Sequence, residues 1–259
     1  QDGGNIILPP LVAFTTVLLG FFVARLVVNL LAPKTDLNVR RTFSFTTGLY
    51  NYGFIPIPII LTLFPHEVES TLGVLFIHNV GVEMAFWSVG IMILTGTINR
   101  ASIRRILNLP FITLCLGLTL NLTGLEAQIP PFVLKSLHML SLCAIPMGLI
   151  LAGATFADLM TSQALGKIFS RIPLLSLLTR LVILPLLFIL IAKYLPGTSI
   201  ELRRIIIIQA AMPAAIFPLV VSKHYKGDTE TAVHVVAATT LGSLFTIPIW
   251  IGWGMAWVF

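Results

Sequence analysis

The chain has 259 residues, of which 57% are hydrophobic and only 10% charged, and its mean hydropathy is +0.99. A soluble domain of this length has no interior large enough to hide so much apolar surface. The composition therefore predicts an all-α, multi-pass protein of a cell membrane, because apolar segments this long satisfy their backbone in lipid only as helices. The net charge of +6 is no sign of a nucleic-acid partner, since Lys and Arg gather in short loops between apolar segments. Cys115 and Cys143 lie in apolar segments and form no CxxC, so neither a metal site nor a disulfide framework is expected. His66-Glu67 opens like the zinc-protease pattern HExxH, but Ser70 stands where the second His is required. No Walker loop and no GxSxG occurs. Neither an enzymatic activity nor a cofactor is expected.

Eight apolar segments follow in chain order, each near the roughly 20 residues that a bilayer requires. They cover about residues 7–31, 42–64, 71–95, 107–122, 131–156, 172–192, 204–222 and 232–257. The loops after the first, third, fifth and seventh hold Lys34, Arg40, Arg41, Arg100, Arg104, Arg105, Lys167, Arg171, Lys223 and Lys226. The alternate loops hold only Lys193, Arg203 and Arg204. By the positive-inside rule the first set is cytoplasmic, and both termini are expected outside.

The second segment is interrupted by Gly48-Leu-Tyr-Asn-Tyr-Gly-Phe-Ile-Pro-Ile-Pro58. Pro56 has no N–H for the carbonyl of Tyr52, and Pro58 has none for that of Phe54. Irregular backbone at membrane depth survives only where protein or a water-filled cavity surrounds it. The seventh segment, Arg203-Arg-Ile-Ile-Ile-Ile-Gln-Ala-Ala-Met-Pro-Ala-Ala-Ile-Phe-Pro218, breaks in the same way. Its prolines free the carbonyls of Gln209 and Ala214. An offset of 163 residues carries Arg40-Arg41 onto Arg203-Arg204, and also Phe54 onto Phe217, Glu67 onto Glu230 and Trp87 onto Trp250. This is the pattern of an internal repeat within a single transmembrane transporter domain over residues 1–259. Residues 1–95 would hold the last three helices of one half, and residues 107–259 a five-helix second half. A five-plus-five arrangement then requires a helix pair before Gln1. Because five is odd, the halves are inverted in the membrane, which is the plan of secondary transporters with a midplane site.

A broken helix presents unpaired N–H groups where its second half begins, with a partial positive charge that attracts carboxylates. Two such ends meeting from opposite sides bind a small organic anion without an arginine. The candidate substrate-binding residues are Asn51, Tyr52, Gly53 and Pro56 from one break, and Gln209, Met212 and Pro213 from the other. In the third segment His78, Asn79 and Glu83 are candidates for coupling, since ionisable groups inside a span usually face a cavity or a partner. Asn79 and Glu83 share a face at i and i+4, while His78 points elsewhere. Glu83 is the candidate proton carrier, and freed carbonyls at Tyr52, Phe54, Gln209 and Ala214 are alternative ligands for sodium. Either H+ or Na+ fits as coupling ion. Arg180 has two possible roles, pairing with Glu83 or reaching toward an interface.

Asn51-Tyr-Gly-Phe-Ile-Pro-Ile-Pro58, Leu107-Asn-Leu-Pro110, Ala144-Ile-Pro-Met-Gly148 and Ala210-Ala-Met-Pro213, followed by His224-Tyr225 and Asp228, resemble bacterial members of the auxin efflux carrier (PIN-like) family. The resemblance runs over essentially the whole chain, aligned to the last eight of that family's ten helices. It implies a fold shared with bile acid–sodium symporters, in which two broken helices cross at the substrate site. It further implies elevator-like transport of a small carboxylate, auxin-like or dicarboxylate, with membrane lipids as surroundings and a homodimer as a compatible assembly. Many relatives have Asn-Thr-Gly where this chain has Asn51-Tyr52-Gly53, and Met-Pro-Pro-Ala then Asn where it has Met212-Pro213-Ala214-Ala215 and Phe217. The pocket is thus expected to be more aromatic and less polar. That difference favours the alternative function, a membrane-embedded sensor that binds a lipid or sterol without net transport.

Overall fold

The computed structural model describes residues 4–97, 109–159 and 170–259. Arg100, Arg104, Arg105, Lys167 and the expected boundary at residue 107, with the Leu107-Asn108 start of one motif, lie outside the described residues. Among the described residues every regular element is a helix. These are α1 (Gly4–Leu31), α2 (Leu37–Gly48), α3 (Pro56–Leu63), α4 (Val68–Thr95), α5 (Leu109–Thr123), α6 (Pro131–Leu159), α7 (Arg171–Tyr194), α8 (Ile200–Ala211), α9 (Phe217–His224) and α10 (Thr229–Val258). Four of them, α1, α4, α7 and α10, contain stretches long and apolar enough to cross a membrane. Shorter apolar stretches, Phe111–Thr123 and Pro131–Ala144, lie in α5 and α6. Side chains of α6 such as Phe132, Leu140 and Met147 remain exposed.

Three helix starts are capped by side chains. Asp36 caps α2 by accepting from the N–H of Asn38 at 2.7 Å. Ser199 caps α8 through the N–H of Leu202 at 3.2 Å, and Asp228 caps α10 through Thr231 at 2.7 Å. Such caps satisfy N–H groups that have no partner inside the helix. The segment expected at 42–64 starts earlier, at Leu37, and divides into α2 and α3. The segment expected at 204–222 starts at Ile200 and divides into α8 and α9.

One core cluster runs through α1, α2, α4, α7, α8 and α10, and aromatic rings fill it where α1, α2 and α4 meet. Phe21 and Phe45 stack at 6.2 Å, and Phe45 and Phe86 at 5.2 Å between ring centroids. Two crossings close on glycine. A Cβ on Gly20 would meet the carbonyl of Gly48, and one on Gly81 the carbonyl of Pro10. Two helices each contain a π-turn, at Phe86–Gly90 in α4 and Thr179–Ile183 in α7. A π-turn inserts one residue and turns the side chains after it to a new face, and it is often found at functional sites.

The two broken helices also meet each other's far ends. At the start of α2, Asn38 Nδ2 donates to the carbonyl of Lys226 at 3.2 Å. Thr42 Oγ1 accepts from the N–H of Asp228 at 2.9 Å. Both partners belong to the connection after α9. At the start of α8, Arg204 forms an ion pair with Glu67 in the connection after α3.

Candidate functional site

The two breaks touch. The N–H of Asn51 donates to the carbonyl of Pro213 at 2.8 Å, and that of Ala215 to the carbonyl of Leu49 at 3.0 Å. Tyr50 and Ala214 thereby form an antiparallel β-bridge in an otherwise helical chain. Each break supplies partners that the other lost when its helix stopped, as buried backbone requires. The N–H of Ala214 donates to Thr239 Oγ1 of α10 at 3.3 Å. The carbonyl of Tyr52, freed by Pro56, accepts from Asn79 Nδ2 at 3.0 Å and from Gln209 Nε2 at 3.5 Å.

Beside the bridge lies a cavity of about 340 Å³. Asn51, Tyr52, Gly53 and Phe54 line it from one break, Ala215, Ile216 and Phe217 from the other, and Glu83 and Trp87 from α4. It therefore opens on the N-terminal approaches to both α3 and α9. The N–H groups of Gly53, Phe54, Ile216 and Phe217 have no hydrogen-bond partner among the described residues. Two positive helix ends face one space. The walls are aromatic: Trp87 and Phe217 meet edge to face at 5.9 Å, and Phe86 packs behind Phe217 at 5.6 Å.

Among the lining residues the one ionisable carboxyl is Glu83, and there is no Lys, Arg or His. Tyr52 Oη donates to Glu83 Oε1 at 2.6 Å, and Trp87 Nε1 donates to Oε2 at 2.8 Å. Both carboxylate oxygens are thus engaged by donors.

Arg180 takes neither of the roles expected for it. It sits in the π-turn of α7 with no exposed surface. Its Nε donates to the carbonyl of Met212 at 2.8 Å, and its Nη2 to those of Gln209 at 2.9 Å and Ala210 at 3.1 Å. The guanidinium lies over the rings of Tyr50 and Phe188, 5.4 and 5.5 Å from their centroids. It caps the negative C-terminal end of α8 and occupies the carbonyl that Pro213 frees at Gln209. Its Nη1 has no partner among the described residues.

Of the sequence-derived candidates, Asn51, Tyr52, Gly53 and Glu83 line the cavity. Pro56 begins α3 and is buried, outside the lining. Gln209, Met212 and Pro213 stand behind the lining, where Gln209 and Pro213 hold the opposite break and Met212 holds Arg180. Asn79 anchors the Tyr52 carbonyl. His78 is outside the lining, with its ring 6.3 Å from that of Tyr50. Sequence reasoning missed Trp87 as a site residue, although it stands one turn from Glu83, at i+4. Phe54 entered the sequence reading only through its carbonyl, and Ala215 and Ile216 were missed as lining residues. Among the described residues no group of three or more His, Cys, Asp or Glu comes together to hold a metal.

Residues 95–251 match the model of a family described as "Membrane transport protein". The chain is 25% identical over 208 residues to an uncharacterized transporter of Methanocaldococcus jannaschii, an alignment that covers 79% of this chain. The chain spans 65% of the length of that relative. With more than half of its length inside one family model, and with apolar helices of membrane-crossing length, this chain belongs to the membrane transport protein family.

Proposed function

We propose that the protein is a secondary carrier of a small organic anion, an auxin-like carboxylate or a dicarboxylate, which binds where the two broken helices cross. The observation that carries this reading is the cavity of about 340 Å³ onto which unpartnered N–H groups of both breaks open. Convergent helix N-termini supply anion affinity without a cationic side chain, and aromatic walls suit an apolar body attached to the carboxylate. Asn51, Tyr52 and Gly53 are assigned to the ligand, with Pro56, Gln209, Met212 and Pro213 fixing the shape of the crossing.

The same reading assigns the chain to the auxin efflux branch and to an inverted repeat, with helices of the first half in residues 1–95 and the second half in residues 107–259. Two features favour inversion. The bridge between the breaks is antiparallel. The start of each broken helix also packs on the connection that follows the other. Alternating access would then be a movement of the crossing past the remaining helices in the cell membrane. No covalent step is assigned to the protein.

The test is flux into proteoliposomes over a panel holding benzoate, phenylacetate, malonate and malate. Asn51→Ala and Pro213→Ala are each expected to lower uptake about tenfold or more, equivalent to ~1.4 kcal/mol of lost interaction, while leaving folded protein in the membrane. Unchanged flux in both variants would remove the crossing as the site. Saturable binding of an acid with no accompanying flux would return the sensor reading.

A further inference from the structure

We propose that anion binding at the crossing takes up one proton on Glu83, so that the empty and loaded carriers hold the same buried charge. This inference rests on the anion-carrier reading above.

The argument begins with a charge count. Among the described residues, the buried Lys, Arg, Asp and Glu side chains are two, Glu83 and Arg180. They make no ion pair with each other: Glu83 is held by Tyr52 and Trp87, and Arg180 by the end of α8. Arg180 keeps its charge, because a guanidinium is not deprotonated in proteins. Its counter-charge is the C-terminal end of α8. Glu83 has the geometry of an ionised carboxylate, with one donor on each oxygen. With Glu83 ionised, the two fixed charges at the crossing balance.

An organic anion entering the cavity would add a second negative charge beside Glu83, which lines the same space. Two carboxylates in one low-dielectric cavity repel strongly. One proton from the aqueous side removes the conflict. It binds a Glu83 oxygen, and the resulting O–H donates to the incoming carboxylate in a short, charge-assisted hydrogen bond. No covalent bond other than this O–H forms or breaks, and release of the anion returns the proton to water on the opposite side. With a monocarboxylate the loaded crossing again holds one fixed positive charge and one negative charge.

No other titratable group is placed to take this role. Tyr52, from the first break, faces Glu83 as a hydrogen-bond donor. On α1 the one ionisable side chain is Arg25, beyond Phe21, which itself meets Gly90 two turns past Glu83. α3 carries no ionisable side chain. On α8 Glu201 stands in the first turn, at the far end from Gln209, and the basic groups are committed elsewhere, Arg203 to Thr198 and Arg204 to Glu67. On α9 Lys223 and His224 stand at the far end from Phe217. α5 offers only Cys115. On α4 itself His78 faces Tyr50.

The experiment is isothermal titration calorimetry of the purified chain with benzoate and with phenylacetate, each in buffers of different ionisation enthalpy, over a range of pH. The expected result is uptake of one proton per anion at neutral pH, with affinity falling about tenfold per pH unit above it. Glu83→Gln mimics the protonated carboxyl and is expected to bind with no proton uptake and a flat pH profile. Binding to the unmodified chain without proton uptake would overturn this inference and leave the anion carrier standing. That measurement needs no variant, so a misfolded Glu83→Gln does not obscure it. If neither acid binds and tetramethylammonium does, held by ionised Glu83 and the faces of Trp87 and Phe217, both the inference and the anion reading fail.

Discussion

Arg180 and Glu83 divide the work of the crossing at the scale of single residues. Each break leaves carbonyls at the end of its first half and N–H groups at the start of its second. At the end of α8 the carbonyls of Gln209, Ala210 and Met212 are closed by one guanidinium. Replacing it by an apolar side chain of similar length leaves the buried carbonyls of Ala210 and Met212 short of a donor, leaves that of Gln209 only the N–H of Met212, and removes the cation from the rings of Tyr50 and Phe188. Arg180→Met is therefore expected to destabilise the protein by about 2–5 kcal/mol. Arg180→Lys should recover only part of this, because a point-like ammonium lacks the planar fork that reaches three acceptors. Thermal unfolding of detergent-purified variants measures the order, and an Arg180→Met variant as stable as the parent would sink the capping role. Glu83 stood out in the sequence because a carboxyl in an apolar span demands a cavity or a partner, and the structure gives it both. Sequence reasoning misread Arg180 because the partners are backbone carbonyls, 29 to 32 residues along the chain. Backbone carbonyls are the same for every residue type and leave no mark in a sequence.

Elements repeat this contrast. Both helix breaks were legible, since Pro56, Pro58, Pro213 and Pro218 remove donors wherever they stand in a helix. The bridge joining the breaks was not, because it is made from backbone groups of Asn51, Pro213, Leu49 and Ala215 alone. The π-turns that place Trp87 and Arg180 were equally silent, for no residue type dictates one. Helix crossings lie between these cases. Gly73 and Gly81 stand on the same helix, and the sequence treats them alike. In the structure a Cβ on Gly73 meets open space, while one on Gly81 runs into the Pro10 carbonyl of α1. A backbone oxygen cannot swing aside as a side chain does, so Gly81→Ala must push α1 and α4 apart, at a cost of about 1–3 kcal/mol or more. Gly73→Ala removes a helix-weakening glycine and is expected to be neutral or to stabilise by up to ~1 kcal/mol. The yield of monodisperse protein by size-exclusion chromatography distinguishes the two. Equal yields would mean that the α1–α4 approach is looser than the structure has it.

For the whole molecule the central question is the direction of the two halves. From the lysine and arginine pattern the connection after α3 is expected outside and the connection after α9 inside. The antiparallel bridge between Tyr50 and Ala214 sends the chain through the two breaks in opposite senses. α3 leaves the crossing toward Phe64 and His66, and α9 leaves it toward Lys223 and His224. His66 and Lys223 are both exposed, so a cysteine at either position is open to reagent without disturbing packing. In a background where Cys115 and Cys143 are replaced by serine, His66→Cys should react with a membrane-impermeant maleimide on intact cells. Lys223→Cys should react only after the membrane is permeabilised. Reaction of both from one side would contradict the inverted halves, and with them the meeting of two helix N-termini from opposite faces on which anion binding depends. The reciprocal labelling pattern would leave a site reached by half-helices from both sides, which is the geometry that lets one cavity face each compartment in turn.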